Sequence, residues 1–198
     1  AQKELADNLG AVVYRATGPG VARMWVQHLT SVTYLEGATY IPEASWAPIY
    51  RDVLKDLDES ATIIQNDEVS LEEERVQQQN QLAMIEIMKV YAYATLVETY
   101  GDIPYSEALD FSNPTPKFDD AQTVYIDLLS RLNTAISELN TSGVGFESTD
   151  LIYNGDLVKW KKFGNSLKLR MGLRIIDAVP EVGTQAVAEA VSGVMTSN

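Results

Sequence analysis

Between Leu82 and Val97 apolar or small residues cover nearly every face of a 3.6-residue wheel. That is the pattern of a helix surrounded by other helices rather than one lying on a surface. Gly101 then stands where a helix C-terminus needs a residue tolerant of positive φ, and Pro104 follows where proline prevents the helix from restarting. The pattern predicts a helix over about Leu71–Tyr100, which would run about 43 Å at 1.5 Å per residue. Its first turns are polar and project past the core.

Other periodic stretches flank it. Lys3 to Thr17 and Val21 to Tyr34 both read as helices, and the Gly18-Pro19-Gly20 triplet between them predicts a hairpin. Trp25, Leu29 and Val32 share one face of the second, with His28 beside it. Ser45 to Gln65 is amphipathic, with Trp46, Tyr50, Val53, Leu54 and Leu57 on the apolar side, so Trp46 is expected in the core. Ser70 with Glu73, and Asp119 with Gln122, read as capping boxes. A helix over Ala121–Leu139 presents Val124, Tyr125, Leu128, Leu129, Leu132 and Ile136. The polar linker Asn140–Asp150 leads to a partner over about Asp156–Ala178, with Trp160, Phe163, Leu167, Leu169, Leu173 and Ile176 around it. Pro180 closes that helix before a last one over Glu181–Met195. Gly164 and Gly172, costly inside a helix, predict a seam where a neighbouring helix approaches closely. The expected fold is all-α, an irregular array of antiparallel helix pairs. These pairs are spaced about twice as far apart as the 34 residues of a tetratricopeptide unit, so periodicity alone does not give that repeat.

Composition narrows the function. A chain of 198 residues with 45% hydrophobic content can bury a real core, and a single domain over 1–198 is expected. With 28 acidic against 15 basic residues the formal charge is −13, which argues against nucleic acid and leaves carbohydrate or protein partners. The six basic residues between Lys159 and Arg174 read as long stems over apolar surface with heads reaching acidic helices, not as a phosphate site. Without cysteine there are no disulfides, thiolate metal sites or cysteine nucleophiles. No apolar run is long enough to cross a membrane as a helix.

Three blocks in order carry a family resemblance. They are Tyr100-Gly-Asp-Ile-Pro-Tyr-Ser-Glu-Ala-Leu109, Pro116-Lys-Phe-Asp-Asp120, and Lys159-Trp-Lys-Lys-Phe-Gly-Asn-Ser-Leu-Lys-Leu-Arg-Met-Gly-Leu-Arg174, with Trp46 and Tyr50 upstream. Together they resemble the SusD/RagB family of surface nutrient-binding lipoproteins of Bacteroidetes. Gly164 and Gly172 stand where that pattern leads one to expect alanine. The resemblance covers the N-terminal helical part of proteins that are normally several hundred residues long. It implies a tetratricopeptide-like scaffold, non-catalytic binding of glycans or other nutrient oligomers at the outer-membrane surface, and delivery to a SusC-like TonB-dependent transporter. It also implies a membrane attachment only through a lipid-bearing cysteine lying before Ala1. The alternative is a helical-repeat docking scaffold with no small-ligand site in these residues.

Candidate chemistry is sparse. There is no Gly-x-Ser-x-Gly elbow, no His-Glu-x-x-His zinc helix and no phosphate loop, and a triad would have only His28 as its base. No cofactor is expected. The carboxylates at 67–74 lack the alternating ligands and central glycine of a calcium loop, so no metal is expected. Glu98 and Asp102 flank the Gly101 turn as a carboxylate pair, but Asp102 more simply orders that turn through its own backbone amides. No catalytic residue is assigned. Tyr34 and Tyr40, on the Gly- and Pro-containing stretch Thr33–Pro48, are the candidate ligand-binding residues. Exposed, they would stack on the apolar C–H faces of sugar rings; buried, they would anchor the loop with satisfied hydroxyls.

Overall fold

A computed structural model describes residues 1–17 and 46–197, with the side chains of 1–9 and 46–197. The predicted helix Val21–Tyr34, the Gly18–Gly20 hairpin, His28, Tyr34 and Tyr40 lie outside the described residues. Within them the elements are α1 (Gln2–Thr17), a π-helical stretch (Ile49–Leu54) leading into α2 (Lys55–Asn66), α3 (Glu72–Tyr100), β1 (Ile103–Pro104), β2 (Phe118–Asp119), α4 (Ala121–Glu138), α5 (Leu157–Ile175) and α6 (Pro180–Ala190). Consecutive helices from α2 to α6 pack on one another, giving the all-α array of antiparallel pairs that the pattern predicts.

α3 is the axis of this array, touching α1, the π stretch, α2, β1, α4 and α5. Met84, Ile87, Val90, Ala92, Ala94 and Leu96 are all sealed from solvent. Its start differs from the predicted capping box. Glu74, not Glu73, accepts from the amides of Ser70 and Leu71, at 3.1 Å each, because the helix begins at Glu72, two residues beyond Ser70. Its end is as predicted: the Gly101 amide closes on Val97 O at 2.9 Å with φ at 77°. A Cβ at Gly101 would meet nothing within 4 Å, so the backbone conformation and not crowding demands glycine there.

The helix predicted as one piece over Ser45–Gln65 opens with a π register. Over 49–54 the wider turn buries Ile49, Val53 and Leu54. Trp46, expected in the core, is only half buried, against the rings of Tyr50, Tyr100 and Phe118.

α4 buries the six residues expected of it, together with Ala135. Its cap is Asp120 rather than Asp119, with Asp120 Oδ1 accepting from the Thr123 amide at 2.8 Å and its hydroxyl at 2.7 Å. Asp102 does not order its own turn. Its Oδ1 reaches 19 residues on to accept from the Ala121 amide at 2.9 Å, a second ligand for the same helix end.

The linker before α5 is held by a buried Asn80, which donates to Asn140 O and Val144 O at 3.1 and 2.9 Å and accepts from the Asn140 amide at 2.8 Å. Asp150, 2% exposed, accepts five bonds, from Gln2 Nε2, Trp160 Nε1 and the amides of Ile152, Tyr153 and Gly155. The glycine seam is present. A Cβ on Gly164 would lie 2.7 Å from Ile136, and Gly172 faces Gly183 of α6, where an added Cβ would lie 2.6 Å from Ile176 Cα. The basic heads of α5 find acids as expected: Arg170 and Arg174 meet Glu98 at 2.8 and 3.6 Å, and Lys168 meets Glu189. Leu173, expected to pack, is 56% exposed, because α6 closes only one side of this stretch.

Candidate functional site

Between β1 and β2 the chain makes a loop that supports itself through short polar side chains. Asp119 Oδ2 accepts from the amides of Tyr105 and Ser106 at 3.2 and 2.7 Å, and the Ser106 hydroxyl adds a further bond. These bonds, the Ser106 amide foremost, hold the Asp119 carboxyl below its ordinary range. Glu107 Oε2 accepts from Asn113 Nδ2 and the Lys117 amide, and Asp110 Oδ1 accepts from the Ser112 amide and hydroxyl. Pro114 and Pro116 stiffen the remainder. Leu109 sits at φ 67°, a left-handed conformation that a leucine adopts only when its surroundings impose it.

This frame holds apolar groups in water. Phe111 is 86% exposed and Phe118 57% exposed. They border an open cleft of about 600 Å³ whose walls include Trp46, Tyr50, Phe111, Pro114, Pro116 and Phe118. The wall opposite the loop is the π stretch. Tyr50 donates its hydroxyl to Pro104 O at 2.6 Å, which locks that stretch to β1, and burial pushes its phenol well above the usual range. Lys55 Nζ lies 5.2 Å from the Phe111 ring centroid. Exposed aromatic faces on a fixed frame suit the C–H faces of sugar rings.

A second cavity of about 410 Å³ adjoins the first and shares Ala108, Leu109 and Asp110 with it. Its other walls are polar: Asp58 of α2, Lys89 and Tyr93 of α3, Tyr105, and Arg131 of α4. Lys89 pairs with Asp58 at 2.9 Å. Arg131 donates Nε to Glu86 and Nη1 to the Tyr105 hydroxyl, both at 2.5 Å, and Tyr105 donates in turn to Asp127. Burial first, and then the bond to Asp127, raise the Tyr105 phenol far above its ordinary value.

The carboxylates beside Gly101 are committed elsewhere. Glu98 accepts from the Tyr125 hydroxyl at 2.8 Å as well as from Arg170, and Asp102 caps α4. Among the described residues no group of three or more His, Asp or Glu side chains could hold a metal ion, and no helix is long and apolar enough to cross a membrane. The structure places neither Tyr34 nor Tyr40, but it brings Trp46, at the end of the same stretch, into the cleft wall. Sequence reading missed Phe111 and Phe118. The available signal was a phenylalanine on either side of a proline-rich, polar run, where no helical face exists to bury it.

No curated protein matches this chain. Among solved structures, a chitin-binding protein is 30% identical with a TM-score of 0.69, over 89% of this chain and 38% of its own. A chitin-binding SusD homologue from Flavobacterium johnsoniae is 28% identical with a TM-score of 0.65, over 77% of this chain and 31% of its own. A SusD/RagB family protein from Bacteroides thetaiotaomicron is 25% identical with a TM-score of 0.68, over 98% of this chain and 42% of its own. The chain thus spans less than half the length of each of these proteins. Residues 1–198 match throughout the SusD-like family described as starch-binding and associating with the outer membrane. With its helix array, its three sequence blocks and this match in agreement, the chain belongs to the SusD-like family.

Proposed function

We propose that this chain is a helical domain that binds glycans at the bacterial outer-membrane surface without chemically altering them. As part of a surface lipoprotein it passes them to a SusC-like TonB-dependent transporter. The family's description and the chitin-binding relatives support this reading. The observation that carries it is Phe111, presented to solvent by a loop braced by its own hydrogen bonds, in the wall of the cleft that also holds Trp46 and Phe118. A large apolar ring so exposed on a braced loop is a binding feature rather than a packing one. Tyr34 and Tyr40 remain proposed contributors on the stretch that leads to Trp46.

The test is intrinsic fluorescence titrated with neutral oligosaccharides, for the parent chain and for Phe111→Ala, Tyr34→Ala and Tyr40→Ala. Saturable quenching is expected, and Phe111→Ala weakens it by about fivefold or more, the loss of an interface anchor worth above about 1 kcal/mol. A folded chain that responds to no sugar would overturn the reading. It would favour a docking scaffold, for which a groove along α5 by Leu169, Leu173 and Met195 offers exposed apolar surface.

A further inference from the structure

The polar basin beside the cleft has more hydrogen-bonding capacity than the protein uses. Tyr93 is 4% exposed, yet among the described residues its hydroxyl has no partner, while its ring is fixed edge-on against Tyr50 and Tyr105 at 6.2 and 4.9 Å. Lys89 Nζ spends one of three donors on Asp58, and Arg131 uses Nε and Nη1 but not Nη2 within the described protein. All three groups line the same cavity, and they stand on the central helix α3 and its neighbour α4 rather than on loops. No buried polar side-chain atom among the described residues lacks a partner, so these spare donors reach the open cavity, where water or the hydroxyls of a ligand that displaces it complete the bonding.

The charges choose the ligand class. Two cations, Lys89 and Arg131, face two carboxylates, Asp58 and Asp110, in the basin wall, while Glu86 backs Arg131 and Asp127 backs Tyr105. Lys55, 3.8 Å from Asp58, adds a third cation at the rim, but with Glu86 and Asp127 the acids still outnumber the cations, so no positive charge is left over for a uronate, a sulfate or a phosphate. A hydroxyl-rich, uncharged group meets both donors and acceptors. The ridge Ala108–Asp110, common to both cavities and strained at Leu109, sets the basin directly beside the aromatic cleft. We infer that the basin is a second subsite, in which Tyr93, Lys89 and Arg131 hold the hydroxyl edge of an uncharged pyranose whose neighbouring unit stacks in the cleft. This rests on the glycan-binding reading above and adds to it a polar contact set and a preference for neutral sugars.

Calorimetric titration of the chain with maltoheptaose, chitohexaose, cellohexaose and xylohexaose, against oligogalacturonate, tests it with two variants. Tyr93→Phe removes only the hydroxyl, which no protein group among the described residues uses, so the melting temperature stays unchanged. Affinity for the neutral probe that binds falls roughly three- to tenfold, the loss of one ligand hydrogen bond. Phe111→Ala reports on the cleft alone. If Phe111→Ala weakens binding and Tyr93→Phe does not, the basin is no subsite although the cleft reading stands. Tighter binding of oligogalacturonate than of every neutral probe overturns the ligand class, and no binding of any probe removes both readings together.

Discussion

Asp150 concentrates more on one side chain than any other residue of the described chain. Burial alone would raise its carboxyl, yet Trp160, the amides of Gly155 and Ile152, and Gln2 together hold it below the ordinary carboxylate range. Through Gln2, which also accepts from the Leu151 amide at 2.7 Å, it ties α1 to the start of α5. Asp150→Asn keeps the size but turns one acceptor into a donor among groups that already donate. The expected cost is about 3 kcal/mol of stability, read by denaturant unfolding, because at least two buried donors lose a charged acceptor. A loss below about 1 kcal/mol would show that water replaces those bonds. Little of this was visible in the sequence. Asp150 reads there as the last residue of a polar linker, since its partners come from positions 2, 152, 153, 155 and 160 and only the fold brings them together.

Among the elements, helices long enough to show a period were legible, and their joints were not. The core faces of α3 and α4 follow directly from residue spacing, as does the stop at Gly101. The π register at 49–54 has no signature in hydrophobicity, because Ile49, Val53, Leu54 and Leu57 also fit an ordinary helix. The caps moved by one residue, to Glu74 and Asp120, since a run of acids offers several carboxylates and geometry selects one. The cleft was missed for a similar reason: Phe111 and Phe118 belong to no helical face, and the two-residue strands that frame them are too short to alternate. The α5–α6 joint, by contrast, was foreshadowed by Gly172. Its facing residue, Gly183, has no room for a side chain against Ile176 Cα. Gly183→Val should destabilise by about 2 kcal/mol through overpacking. Hydrogen exchange should show α6 losing protection first while α3 keeps it, and equal loss in both would mean that the array unfolds as one unit.

For the molecule as a whole, the acidic balance and the shifted groups fix how stability responds to pH. Asp119, Asp120, Asp150 and Glu189 all have carboxyls lowered in the folded state. A lowered folded value stabilises above the unfolded pKa and loses that contribution as pH falls through the folded one, so the loss begins near the unfolded values of about 4. Burial raises the phenols of Tyr50, Tyr93, Tyr105 and Tyr125. A raised folded value stabilises below the unfolded pKa and loses that contribution as pH rises, so the alkaline loss begins near about 10. Thermal melts should therefore be flat between about pH 6 and 9 and fall on either side. A melting temperature higher at pH 3 than at pH 7 would mean that relief of repulsion among the surplus acids outweighs these bonds.

The loop between the two short strands is moored at its ends and braced from within, by Asp119, Glu107 and Asp110, and Phe111, Pro114 and Thr115 at its crest are exposed. In the proposed glycan-binding role, recognition is thereby uncoupled from folding. The crest can exchange one aromatic for another, or shift its prolines, without disturbing a side chain on which the helix array depends. A scaffold arranged this way can diversify what it captures while its interior stays the same.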